Sequence, residues 1–214
     1  MKTMAAARRT TRPAQIGHVF GPYSAGTLMT PEEFDQAEFE DCWHYELIHG
    51  VLVVTPYPLP QVSDPNGELS YWLRTYRDEH PCGYHMNSTL YSHIVNTDEN
   101  RRRADRVIWA GLARHPRRGD LPTIVIEFVS KGKRDRIRDF EEKRAEYMRI
   151  GIKAYWIIDR FNRSMTVITA QGKRSRKRVY TEAETFTTPL LPGFELPLAK
   201  LFTFADRWED NETT

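Results

Sequence analysis

A chain of 214 residues, 40% apolar and 28% charged, can bury a full core, which excludes global disorder and a fibrous composition. Its near-balanced net charge of +2 excludes a whole-molecule attraction to nucleic acid, so any such argument rests on where the charges lie. Two isolated cysteines, Cys42 and Cys82, exclude a disulfide framework or zinc site. Neither a roughly 20-residue apolar run nor a signal-like apolar segment in Met1–Gly17 occurs, so a cytoplasmic protein without membrane attachment is expected.

Residues 1–28 mix Ala, Arg, Thr, Pro and Gly without period and predict a flexible tail. Order is expected from Thr30, which suits a helix N-cap with Pro31 at the first helical position and Glu33 as capping-box partner. Tyr45–Ile48 and Val51–Val54 flank His49-Gly50 and predict a tight β-hairpin. Pro56, Pro58 and Pro60 lead into a predicted helix over Ser63–Glu79, with Leu69, Trp72, Leu73 and Tyr76 at helical spacing. Pro81-Cys82-Gly83 ends it.

Strand-like runs follow over Tyr84–Val95, Ala104–Ala110 and Pro122–Val129. The third is nearly all β-branched or aromatic, as in a strand buried on both faces, and its exception is Glu127. Arg134–Ile150 has helix-forming composition and stops at Gly151. Ala154–Ile158 is a further strand, Met165–Thr169 and Arg178–Thr181 a closing hairpin, and Leu191–Leu201 a terminal segment. Strand, helix, strand in the middle predicts a crossover unit within a mixed sheet, hence a mixed α/β fold.

Glu127 in an apolar strand loses hydration and must be paired, protonated or bound to a cation. An ion pair with an arginine at the core edge would serve. Asp105 lies one predicted hairpin earlier, and two hard oxygen ligands on adjacent strands suit Mg²⁺ or Mn²⁺ rather than zinc. Asp139, Lys143 and Tyr147, spaced i, i+4, i+8, share one helix face. That spacing fits a surface Asp–Lys pair as well as a lysine held over the carboxylates against phosphate charge. Glu46 reads as an added site carboxylate or as an exposed strand end.

Basic residues cluster at Arg101–Arg103, at Arg114 with Arg117 and Arg118, at Lys131–Arg134 and at Lys173–Arg178, all assigned to loops. The first and third flank the carboxylates. There Arg103, Lys131 and Lys133 would hold a phosphate backbone without reading sequence, or else remain solvated turn residues.

Together, Tyr45-Glu46-Leu47-Ile48-His49-Gly50, Ala104-Asp105, Ile126-Glu127-Phe128-Val129-Ser130, the string Asp139…Lys143…Tyr147…Gly151, and Ala154-Tyr155-Trp156-Ile157-Ile158-Asp159 resemble the Uma-two family of restriction-endonuclease-like proteins, within the PD-(D/E)XK nuclease superfamily. Leu191–Leu198 is similar to that family's C-terminal pattern, so the resemblance runs from Thr30 to Phe202. It implies a restriction-endonuclease-like core, a central mixed sheet flanked by helices, over residues 29–204 between tails 1–28 and 205–214. It also implies metal ligation by Asp105, Glu127 and the Phe128 backbone carbonyl, with support from Glu46. The superfamily's usual lysine position holds Val129, and the family resemblance implies Lys143 in its place, with Lys131 and Lys133 as rival sources of the ammonium. Relatives read Arg-Pro-Asp where this chain has Arg103-Ala104-Asp105, and Ser-Pro where it has Ser130-Lys131.

The expected function is that of a Mg²⁺- or Mn²⁺-dependent endonuclease hydrolysing phosphodiester bonds in DNA. The alternative is a catalytically inactive module of the same fold that binds nucleic acid or a protein partner. Cutting both strands needs two sites, which is the reason to expect a homodimer.

Overall fold

The computed structural model describes residues 18–130, 132, 136–172 and 174–207. Strand β1 (Val19–Phe20) pairs in parallel with β2 (Glu38–Phe39), and α1 (Pro31–Gln36) lies between them in sequence. The capping box forms as its residues demand: Thr30 Oγ1 accepts the Glu33 N–H at 3.1 Å and Glu33 accepts the Thr30 N–H at 2.7 Å. Of the tail expected to be flexible, residues 1–17 lie outside the described residues. The rest is tied down, with the Gly26 N–H donating to the Leu52 carbonyl at 2.8 Å and Leu28 bridging Val51.

Strands β3 (Trp43–Ile48) and β4 (Val51–Pro56) form the expected hairpin. His49 and Gly50 both have positive φ, 50° and 75°, the two-residue turn whose twist matches that of its strands. Helix α2 (Pro60–Glu79) starts three residues earlier than predicted, because Pro60 occupies its first turn, where a missing N–H costs nothing. It buries Leu69, Leu73 and Tyr76.

The two strands predicted over Tyr84–Val95 and Ala104–Ala110 are instead broken into β5 (Asn87–Ser88), β6 (His93–Asn96), β7 (Arg101–Ala104) and β8 (Arg106–Trp109). Then come β9 (Ile124–Phe128), a π-helical turn (Arg138–Glu142), α3 (Lys143–Ile150) and β10 (Ala154–Asp159). Gly151 closes α3 at φ 98°, the left-handed position that favours glycine. The hairpin β11 (Ser164–Gln171) and β12 (Arg174–Thr181) is longer than predicted. Strands β13 (Thr185–Thr188) and β14 (Leu191–Pro197) and helix α4 (Leu198–Asp206) complete the described chain.

Two larger sheets result, ordered β4-β3-β7-β6 and β12-β11-β10-β9-β8-β5. The pair β9–β10 is parallel and its other neighbours are antiparallel, so the six-stranded sheet is mixed and carries the predicted crossover. Asp105 is the residue between β7 and β8, where the chain leaves one sheet and enters the other.

Alternation along β9 assigns its side chains to two cores. Ile124, Ile126 and Phe128 pack with Leu69, Leu73, Trp156 and the α4 residues Leu198, Leu201 and Phe202. Val125 packs on the opposite face with Tyr147, Ile152, Tyr155 and Ile157. Period two therefore directs Glu127 to the face that α3 covers. Among the described residues no helix is long and apolar enough to cross a membrane.

Candidate active site

Glu127 is buried at the end of β9, and α3 supplies its partners. Lys143 Nζ donates to Glu127 Oε1 at 2.8 Å and to the Arg103 carbonyl at 2.8 Å. Tyr147, one turn on, places its hydroxyl 3.4 Å from the same Oε1. The Lys143 N–H reaches back to the Arg138 carbonyl, five residues earlier, and this extra residue rotates what precedes it against α3. Asp139 is thereby also turned inward, its Oδ1 3.9 Å from Lys143 Nζ and 3.2 Å from Arg138 Nε. Tyr155 fixes this turn by donating from its hydroxyl to the Asp139 carbonyl at 3.0 Å. The surface Asp–Lys pair that the spacing equally allowed is ruled out, since Lys143 is only 2% exposed.

Glu46 stands within β3, not at an exposed strand end, and is buried. Its Oε1 accepts the Arg103 N–H at 2.8 Å and lies 3.6 Å from Lys143 Nζ. Asp105 comes from the junction of the sheets, and its Oδ2 accepts the Phe128 N–H at 2.7 Å. The contact at Phe128 is thus through its N–H. The four residues singled out in the sequence, Glu46, Asp105, Glu127 and Lys143, line one cavity of about 370 Å³ together with Asp139, Arg103 and Arg138.

Burial pushes the Asp105 carboxyl up to about 6, although the Phe128 N–H and Lys143 pull it back. Burial likewise raises Glu127 well above the usual carboxylate range, Lys143 opposing it while Asp105 and Asp139 add repulsion. Asp139 is raised by the same desolvation. At Glu46 burial works upward too, but Lys143 and the Arg103 N–H outweigh it and hold the carboxyl below its ordinary value. Lys143 should lose its proton more readily on burial, yet Glu127, Glu46 and Asp139 together hold it more firmly than usual. Four carboxyl groups crowd one buried ammonium, and three of them, Asp105, Glu127 and Asp139, are held above their ordinary range by burial and by neighbouring carboxylates.

Carboxyls crowded and raised in this way are the observation that fits a cation, which would favour their charged forms. Among the described residues no three His, Cys, Asp or Glu side chains are grouped as a metal cage. Magnesium does not require one, because it is commonly held by one or two carboxylates with water and substrate phosphate completing its shell. Asp105 and Glu127 are hard oxygen donors of that kind.

The basic clusters separate. Arg101–Arg103 is strand β7 rather than a loop. Arg101 is committed to Asp35 at 2.7 Å, and fully buried Arg102 to Glu146 at 2.5 Å. Arg103 alone faces the cavity, its Nη1 donating to Ser92 Oγ at 3.0 Å. Lys131 and Lys133, the other expected phosphate contacts, lie outside the described residues. Arg174–Arg178 lies on the exposed edge strand β12, not in a loop. Sequence reasoning missed Asn66, whose side chain donates to the Asp105 carbonyl at 3.3 Å and accepts from buried Arg106 at 2.7 Å. An asparagine in a helix gives no signal of a partner 39 residues away.

The fold is a mixed α/β nuclease fold. It matches a crystal structure described as a putative nuclease belonging to DUF820 from Anabaena variabilis ATCC 29413, with a TM-score of 0.63 and 15% identity over 83% of this chain and 99% of that one. At that identity the likeness speaks for the fold alone. The Uma2 family model, described as "Putative restriction endonuclease", matches residues 31–199, and the chain belongs to that family. No curated protein matches the chain.

Proposed function

We propose that the protein is a metal-dependent endonuclease of the PD-(D/E)XK type that hydrolyses phosphodiester bonds in DNA. The observation that carries this reading is the buried Lys143 ammonium, 2.8 Å from Glu127, in the cavity that Asp105 and Glu46 also line. An ion pair serving stability alone gains little over apolar packing and has no need of an adjoining cavity with further buried carboxylates.

Asp105 and Glu127, with the Phe128 carbonyl, would hold Mg²⁺ or Mn²⁺, which when bound supplies Lewis-acid polarisation of a phosphoryl oxygen and a more acidic water. Lys143 offers a fixed positive charge to the oxygens of the scissile phosphate as their charge grows, without reorganisation at the moment of reaction. Glu46 anchors Arg103 through its backbone N–H and is a second counter-charge that helps orient Lys143. Arg103, with Lys131 and Lys133, would steady the flanking backbone.

The test is cleavage of plasmid and single-stranded DNA with Mg²⁺, Mn²⁺ or chelator, comparing wild type with Glu127→Ala. Metal-dependent cutting, lost in a folded Glu127→Ala variant, is the expected result. Full-rate cutting by that variant would overturn the assignment of the centre. A folded wild type that binds DNA yet cuts none of these substrates would favour the non-catalytic module.

A further inference from the structure

The rim of the carboxylate cavity carries two aromatic rings that the chemistry above does not use. Tyr57 is 54% exposed and Phe161 40% exposed, and both line the cavity whose floor holds Glu127. Exposed rings at the lip of a charged pocket gain little from burial, and each stands on a rigid support. Tyr57 is set between Pro56 and Pro58, whose ring-locked backbones fix the chain on both sides of it. Its ring lies against His44, with centroids 4.7 Å apart. Burial, helped by Arg103, lowers His44 to about 4, so the imidazole meets Tyr57 uncharged at neutral pH.

Phe161 stands two residues beyond the end of β10, the strand that pairs Ile157 with Glu127. Its backbone N–H donates to Asp159 Oδ1 at 3.1 Å, and the Asn162 N–H donates to the same oxygen at 3.2 Å, so the turn that presents the ring is pinned. The Arg160 guanidinium lies over that ring, 4.4 Å from its centroid. Aromatic faces beside cationic side chains are the pairing that single strands use: bases stack on the rings while the charges follow the backbone.

Resting on the nuclease reading of this same site, we infer that its substrate is an unpaired strand, with bases stacked on Tyr57 and Phe161 while the phosphate between them reaches the floor. The size of the cavity agrees. At about 370 Å³ it stands at the low end of what encloses one small ligand, about 300–1,000 Å³. That is room for one nucleotide, and the paired bases of a duplex present no stacking face to a side wall.

Binding separates this inference from the nuclease reading, because it is read without cleavage. The full chain in chelator is titrated against a fluorescent single-stranded DNA, the same sequence as a duplex, and the matching RNA strand, with anisotropy as readout. Single-stranded DNA is expected to bind at least tenfold more tightly than duplex. Tyr57→Ala and Phe161→Ala should each weaken it about tenfold, whereas Tyr57→Phe, which keeps the ring, should not. Duplex binding as tight as single-strand binding, or single-strand binding unchanged in both alanine variants, overturns the inference. If the aromatic dependence holds but no metal supports cutting, stacking stands and the nuclease reading fails. RNA bound more tightly than DNA with the same dependence supports stacking and overturns DNA as the substrate.

Discussion

The two faces of β9 differ in kind although they belong to five consecutive residues. On one face Ile124, Ile126 and Phe128 enter an apolar core against α2 and α4. On the other, Glu127 meets Lys143 and Tyr147, with Asp105 held beside Phe128. The first face lowers the free energy of the fold by removing apolar surface from water. The second concentrates buried like charges that desolvation opposes. A strand that serves stability on one side and tolerates electrostatic strain on the other is what a reactive site built on a rigid element requires.

That contrast can be broken by substitutions on each face. Glu127→Gln keeps shape and removes charge, so it should reduce metal-dependent cleavage by about a hundredfold or more. Its melting temperature should stay near that of the wild type, because Lys143 keeps Glu46 and Asp139 as counter-charges. Thermal melts run beside cleavage assays read both quantities. A collapse of the fold would show that the charged face is structural.

Next in size, Arg102→Ala should destabilise the protein by about 3–5 kcal/mol in denaturant unfolding, because Glu146 would lose its buried partner. Wild-type stability in this variant would contradict the burial of Arg102. Ile126→Ala should cost about 2–5 kcal/mol from lost burial and a residual cavity, leaving the cleavage rate of the folded fraction unaltered. Equal loss of activity per folded molecule would mean that the two faces are coupled. The smallest effect is expected far from both, where Thr30→Ala removes the cap of α1 and should lower stability by about 1 kcal/mol without touching activity.

What was legible in the residues follows from the range of the forces involved. The capping box of Thr30 and Glu33, the His49-Gly50 turn and the stop at Gly151 depend on atoms a few residues apart, and they form as read. The crossover from β9 to β10 was legible because a helical pattern between two buried apolar runs leaves few ways to pack. The face of α3 was readable from i, i+4 spacing, but whether it met solvent or Glu127 was not.

Tertiary structure alone decided the rest. The run Arg101-Arg102-Arg103 looks like a solvated turn, yet Asp35 and Glu146 reach it from distant elements and make it an inner strand. The break at Asp105 follows from which sheet each flanking strand joins, and strand pairing is a long-range choice that alternation does not encode. Residue types and local periodicity thus determined which groups were available and which way each element turned. The distance between Glu46, Asp105, Glu127 and Lys143, and hence their chemistry, was set only when two sheets and a helix closed on one another. Coulombic and desolvation effects depend on separation in space, and the order of residues along a chain does not specify that separation.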